Sequence, residues 1–189
     1  MDHYFDSPPA RIALPRAYWL MDDIGSEVTG PLKLGSHVML IEPDLQTYGR
    51  IINKINETRS FDMEIVNYLF GSSAMVLPHR GLALLSGEFR TSHHLRYLGE
   101  GDDGTWDADK EFADSHLVHF SDWPLSKPWL RRSVDAWEEA LPGCADRVEQ
   151  GRNDSERMAT VDCPDRRIWV GLYGEYDTRR EKVCRFMQA

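Results

Sequence analysis

His119 and Lys127 carry the most usable chemistry in this sequence. They lie in the run Leu117-Val118-His119-Phe120-Ser121-Asp122-Trp123-Pro124-Leu125-Ser126-Lys127-Pro128-Trp129. A neutral imidazole is a good ligand for a divalent metal, and a lysine ammonium is a good point charge for phosphate. A short apolar run delivers the histidine to a strand end, and a Trp-Pro segment then presents the lysine. Together the two fit one side of a metal–diphosphate unit.

A second set of polar residues lies upstream. Asp62 and Glu64 are candidate catalytic carboxylates at the start of a predicted helix, with Asn67 further along it. Two residues apart on a helix, the two carboxylates do not share a face; capping the helix is the simpler role for Asp62. Gly35-Ser36-His37 forms a turn-like step before an apolar run. Pro78-His79-Arg80 and Glu88-Phe89-Arg90 put polar groups after apolar segments, where they could line a sugar groove or make ion pairs at the core edge. His93-His94 reads as an exposed loop pair. Asp107-Ala108-Asp109 is the sole Asp-x-Asp in the chain. It follows a polar, glycine-rich stretch with no buried strand leading into it, so it reads as an exposed acidic loop.

The elements that must position these groups alternate. Arg11–Leu14 suggests a strand ending at Pro15, and 21–34, with Gly25, Gly30 and Pro31, reads as loop. His37–Ile41 looks like a buried strand closed by Pro43. Asp44 can cap a helix with Leu45, Tyr48, Ile52 and Ile55 on one face. A second helix starts near Asp62 and packs Ile65, Val66, Leu69 and Phe70 inward until Gly71. Ala74–Leu77 and Leu117–Phe120 are further strands. Pro164 opens a last helix with Ile168, Trp169, Leu172, Tyr173 and Tyr176 as its apolar stripe. Arg179, Arg180, Lys182 and Arg185 near its end suit the helix dipole and read as a solvated face. Strands alternating with helices indicate an α/β fold with part of the sheet parallel. The expected organisation is a domain over 1–141, a mobile connection over 142–164, and a C-terminal helix over 165–189 packed on the domain.

The 189 residues are enough for one domain with a sizeable core, and 41% hydrophobic with 28% charged residues reads as a globular protein. A formal net charge of −9 argues against general binding to nucleic acid or anionic membranes. No signal-peptide pattern stands at Met1 and no apolar run is long enough to span a membrane. Cys144, Cys163 and Cys184 do not have zinc-site spacing. In an oxidising compartment one pair could tie the last helix to the loop before it, and the sequence does not select the pair.

The His…Lys-Pro-Trp motif resembles the C-terminal active-site motif of family 8 glycosyltransferases, the retaining, glycogenin-like group. Further blocks follow in the order of a fungal branch, the Golgi N-acetylglucosaminyltransferase or glucose N-acetyltransferase branch: Pro15–Trp19, Ser36–Pro43, Asp62–Asn67, Met75–Arg80, Ser86–Arg90, Tyr97–Gly99 and Ile168–Cys184. The resemblance implies a GT-A-type nucleotide-diphospho-sugar transferase fold. It also implies transfer of a sugar, N-acetylglucosamine by branch, from a UDP-sugar donor to a glycan acceptor with retention. His119 would complete the coordination of Mn²⁺. Lys127 would neutralise the leaving diphosphate, beside Trp129 of the same motif. Asp62 would bind sugar hydroxyls, with Glu64 near the anomeric carbon, and Ser36 and Asn67 would contact the donor. Met63 stands where many members have glutamine, so front-face departure and attack replaces a glutamine-based nucleophile. The His-to-Lys interval exceeds that of glycogenin-like members, Asp122-Trp123-Pro124 standing in place of glycine.

Family members carry a metal-binding Asp-x-Asp upstream of the sequence that Met1–Phe5 resembles. The resemblance therefore implies an N-terminally truncated transferase whose full-length parent is anchored in the Golgi membrane by a missing N-terminal segment and faces the lumen. A second reading fits the same residues: a catalytically inactive module that binds a glycan or a partner.

Overall fold

A computed structural model describes residues 10–20, 33–99, 105–144 and 163–187. Within it the chain forms two compact units. One contains the described residues through Leu84, those within 93–105, and Ser115–His119; the other contains Leu85–Ser92, Trp106–Asp114 and the described residues from Phe120 on.

The first unit is built on a mixed sheet in the order β2-β1-β3. β1 (Ile12–Pro15) pairs antiparallel with β2 (Leu40–Ile41) and parallel with β3 (Met75–Leu77), in the register Ala13 to Met75 and Leu14 to Val76. Alternation along β1 sends its side chains to two apolar clusters. Ile12 and Leu14 join Leu34, Val66 and Phe70, whereas Ala13 joins Leu77, Leu82 and Ala83. The parallel pair and the mixture of helix and sheet agree with the α/β expectation.

β2 corrects the expected buried strand over His37–Ile41. Its two residues form an edge strand, and Met39 and Ile41 are exposed. α1 (Leu45–Glu57) begins where Asp44 caps it, the carboxylate accepting from the Thr47 N–H at 2.7 Å. Thr47, through its side chain first and then its backbone N–H, holds the Asp44 carboxyl below its ordinary range. The apolar stripe expected on one face is turned mostly to solvent, however. Leu45, Tyr48 and Ile55 are exposed, while Thr47 is buried and Ile51 packs on the core. A stripe of apolar spacing tells which residues share a face, not which face is covered. α2 (Asp62–Phe70) buries Ile65, Val66 and Phe70 as its spacing predicts. Its cap is Phe61 rather than Asp62, and Glu64 reaches back to accept from the Phe61 N–H at 2.9 Å. The short β4 (Ala83–Leu85) and β5 (Leu117–His119) pair with each other. α3 (Leu95–Leu98) ends at Gly99, whose φ of 86° is a conformation that glycine adopts without strain.

The second unit is organised by α6 (Pro164–Met187), which buries Ile168, Trp169 and Tyr173 in its first half. Trp137 of α5 (Val134–Ala140) packs 4.6 Å from the Trp169 ring and 5.1 Å from the Tyr173 ring. The basic residues of the last turns are exposed, as expected of a solvated face, with Arg179 paired to Glu175 and Arg185 to Glu181. α4 (Ala108–Asp114) was not legible as a helix, and it corrects the reading of Asp107-Ala108-Asp109 as a loop. Asp107 Oδ1 accepts from the Lys110 N–H at 3.0 Å, and Asp109 pairs with Arg167 at 2.8 Å. A disulfide joins Cys144 to Cys163, and Cys184 is free and exposed. The expected mobile connection lies mostly at 145–162, and the expected loop at 21–34 mostly at 21–32, both outside the described residues. Among the described residues no helix is long and apolar enough to cross a membrane.

Candidate functional site

The residues expected to do chemistry divide between the two units. Ser36, Asp62, Glu64, Asn67 and His119 belong to the first, and Lys127 and Trp129 to the second.

In the first unit the segment after Lys33 is fastened alongside the end of β1. The Ala17 N–H donates to Lys33 O at 2.9 Å and the Gly35 N–H to Pro15 O at 2.8 Å. Asn67 completes the attachment from α2. Its amide nitrogen donates to Leu34 O at 2.8 Å and to Met63 O at 2.8 Å, and its oxygen accepts from the Leu34 N–H at 2.9 Å. The Asn67 side chain thus holds the turn that carries half-buried Ser36. Asp62 and Glu64 are exposed in the first turn of α2, where Glu64 also closes the helix end.

The same turn brings His37 against His119, their ring centroids 5.5 Å apart and tilted by 54°. Trp19 also lies beside His37, with ring centroids 5.4 Å apart. Gly35 is required for this approach, since a Cβ there would come within 2.7 Å of the imidazole. Both ring nitrogens of His37 are shielded from solvent and have no hydrogen-bond partner among the described residues. Burial and the neighbouring His119 and His79 push its pKa down to about 4, so the ring is neutral at neutral pH. His79 Nε2 is engaged with Tyr97 O at 2.8 Å and its ring stacks on Tyr18. His37 and His119 thus place side by side two imidazoles, groups of the kind that ligate divalent cations. Among the described residues, no group of three or more His, Cys, Asp and Glu is arranged to hold one.

In the second unit the loop between β5 and α5 is anchored by Asp122, whose side chain is fully buried. Oδ2 accepts from Tyr173 Oη at 2.8 Å and from Ser86 Oγ, and Oδ1 accepts from Trp169 Nε1 at 2.9 Å. Ser86 Oγ in turn accepts from the Ser121 N–H at 2.9 Å, and Arg90 donates to Asp122 O at 2.9 Å. Burial first, then the facing carboxylate, pushes the Tyr173 phenol well above the usual tyrosine range. The Trp123–Pro124 peptide is cis, and Trp123 and Trp129 are largely exposed. Lys127 Nζ donates to the Phe120 carbonyl, which fixes the ammonium within its own loop. Glu88-Phe89-Arg90 contributes to this packing: Phe89 is buried and Arg90 serves Asp122.

Sequence reasoning passed over His37 and Asp122. The one signal available for His37 was its place at the mouth of an apolar run, as for His119. Asp122 gave none, since its partners come from distant parts of the sequence.

No family model matches the chain, and no solved structure matches it. It is similar to curated proteins named Glucose N-acetyltransferase 1 from three fungi. To that of Aspergillus fumigatus it is 39% identical over 196 residues, covering 97% of this chain and 47% of the relative. For Gibberella zeae the identity is 38%, covering 97% and 37%, and for Saccharomyces cerevisiae 25%, covering 87% and 39%. The chain therefore matches these transferases along nearly all of its own length while spanning less than half of theirs.

Proposed function

We propose that this chain forms part of a retaining glycosyltransferase of the family 8, GT-A type. The reaction is transfer of N-acetylglucosamine from UDP-N-acetylglucosamine to a glycan acceptor. The observation that carries the reading is the 39% identity over 97% of the chain to a protein named as a glucose N-acetyltransferase. The disulfide supports an oxidising compartment such as the Golgi lumen, because cytosolic thiols stay reduced.

In this reading Asp62 and Glu64, exposed on the first turn of α2, meet sugar hydroxyls. Asn67 holds the turn that presents Ser36 to the donor. Lys127 lends positive charge as the diphosphate leaves, a contribution that grows in the transition state. The exposed indole of Trp129 offers a flat apolar face. Mn²⁺, held through His119, would supply further positive charge to the nucleotide diphosphate.

The test is sugar transfer from UDP-N-acetylglucosamine by the native gene product. Mn²⁺-dependent transfer with retained anomeric configuration is expected, and its loss in His119→Ala. Unaltered turnover in that variant would remove His119 from the site. One observation favours a second reading, a glycan-binding module without turnover: Lys127 and Glu64 already serve the local backbone. That reading requires glycan binding with no release of UDP.

A further inference from the structure

We propose that His37 is a metal ligand in its own right, and that His37 and His119 together form a two-imidazole site for a divalent transition-metal cation. The inference rests on the reading of His119 as a metal ligand.

The first argument is the state of His37. A neutral imidazole has one N–H and one lone pair, and here both nitrogens are withdrawn from water without a partner among the described residues. Leaving such groups unpaired costs about 1–3 kcal/mol, and buried polar atoms in folded proteins are nearly always satisfied. The chain nonetheless fixes the ring in place. Asn67 anchors Leu34 with two hydrogen bonds, and Gly35 gives up a side chain so that the imidazole fits. A cation would meet the lone pair of a ring held this firmly, leaving its N–H as it is.

The second argument is distance. Two imidazoles on one cation, with metal–nitrogen bonds of about 2.0–2.1 Å and a roughly tetrahedral angle, have ring centroids about 5 Å apart. His37 and His119 stand at 5.5 Å, close to that separation. His79, whose Nε2 meets Tyr97 O, does not complete a set of three with them among the described residues. Two nitrogen donors without a carboxylate prefer cobalt, nickel and zinc ions to manganese or magnesium. Any preference for Mn²⁺ must then come from oxygen donors brought by the substrate or by other residues.

The probe is Co²⁺ with the purified chain, read by calorimetry and by proton NMR. Each ligating imidazole gives one strongly shifted exchangeable N–H signal. Two such signals are expected for the unaltered chain. His37→Phe keeps a ring in the space and should leave one signal. It should weaken binding by more than the roughly 10–100-fold that loss of an outer-sphere partner costs. Gly35→Ala, which presses on His37 and leaves His119 alone, should weaken binding in the same direction. If His119→Ala abolishes binding while His37→Phe leaves it unchanged, the pair is overturned and His119 keeps its role. If neither variant changes it, both assignments fall. A chain that binds no Co²⁺ overturns the pair, while the transferase reading stands or falls on the transfer assay.

Discussion

Asp122 in the second unit and His37 in the first have polar atoms removed from water, and the protein treats them in opposite ways. Both oxygens of Asp122 are met by donors from Ser86, Trp169 and Tyr173, with the Arg90 guanidinium 3.8 Å from Oδ1. Neither nitrogen of His37 is met within the described residues. A fully satisfied carboxylate specifies one arrangement of the chain around it. An unsatisfied imidazole lowers stability and is expected where function requires an open valence. The second unit thus spends its buried polar group on holding a loop, and the first keeps one in reserve.

The largest effect expected from breaking this contrast is at Asp122. Asp122→Ala strands three donors in the interior and should destabilise the protein by about 3–5 kcal/mol, measured by urea unfolding. A loss below about 1 kcal/mol would mean that the hub is not what orders the loop. Tyr173 sharpens the same side. Its folded pKa is raised, so stability is full below the ordinary tyrosine value of about 10 and falls as pH rises past it. In alkaline titration the chain should therefore lose stability before the Tyr173 phenol ionises.

The opposite sign is expected at His37. His37→Phe replaces two unmet nitrogens with carbon and should raise stability by roughly 1 kcal/mol, at the cost of cation binding. Its folded pKa lies below the unfolded value, so stability is present above about 6.5 and declines as pH falls towards about 4. The Phe variant should lack that part of the acid decline. An equal acid decline in the variant would show that a group other than His37 titrates there. The smallest effect is at Asp109. Its ion pair with Arg167 is more than half exposed on both sides, so Asp109→Asn should change stability by less than about 0.5 kcal/mol and leave Co²⁺ affinity unaltered.

Local signals explain what was legible. β1, β3, α2 and α6 announce themselves through apolar runs or spacing bounded by Pro15, Pro78, Gly71 and Pro164, and the structure places them accordingly. The outward face of α1 was not legible, because the covering of a face depends on partners that spacing does not name. β4 was missed although Leu82-Ala83-Leu84-Leu85 is the short continuous apolar run of a buried strand. The site divides along the same line. His119 and Lys127 stood out by residue type, whereas the imidazole beside one and the carboxylate anchoring the other's loop are tertiary facts. His37 meets His119 only because Asn67 and Pro15 fix the turn between them, and Asp122 has acceptor geometry only after α6 has docked on its own unit.

The disulfide has a consequence for covalent topology. Cys144 and Cys163, 5.4 Å apart at Cα, close a ring over a sequence separation of 19 residues. A protease that cuts any peptide bond inside that ring opens it without dividing the molecule. α6, with the Trp169 and Tyr173 that hold Asp122, would stay attached to the rest of the chain. Such a nicked chain would run as one species until a reductant separated it into two, so the oxidation state of a single bond decides whether a cut there severs the molecule or only marks it.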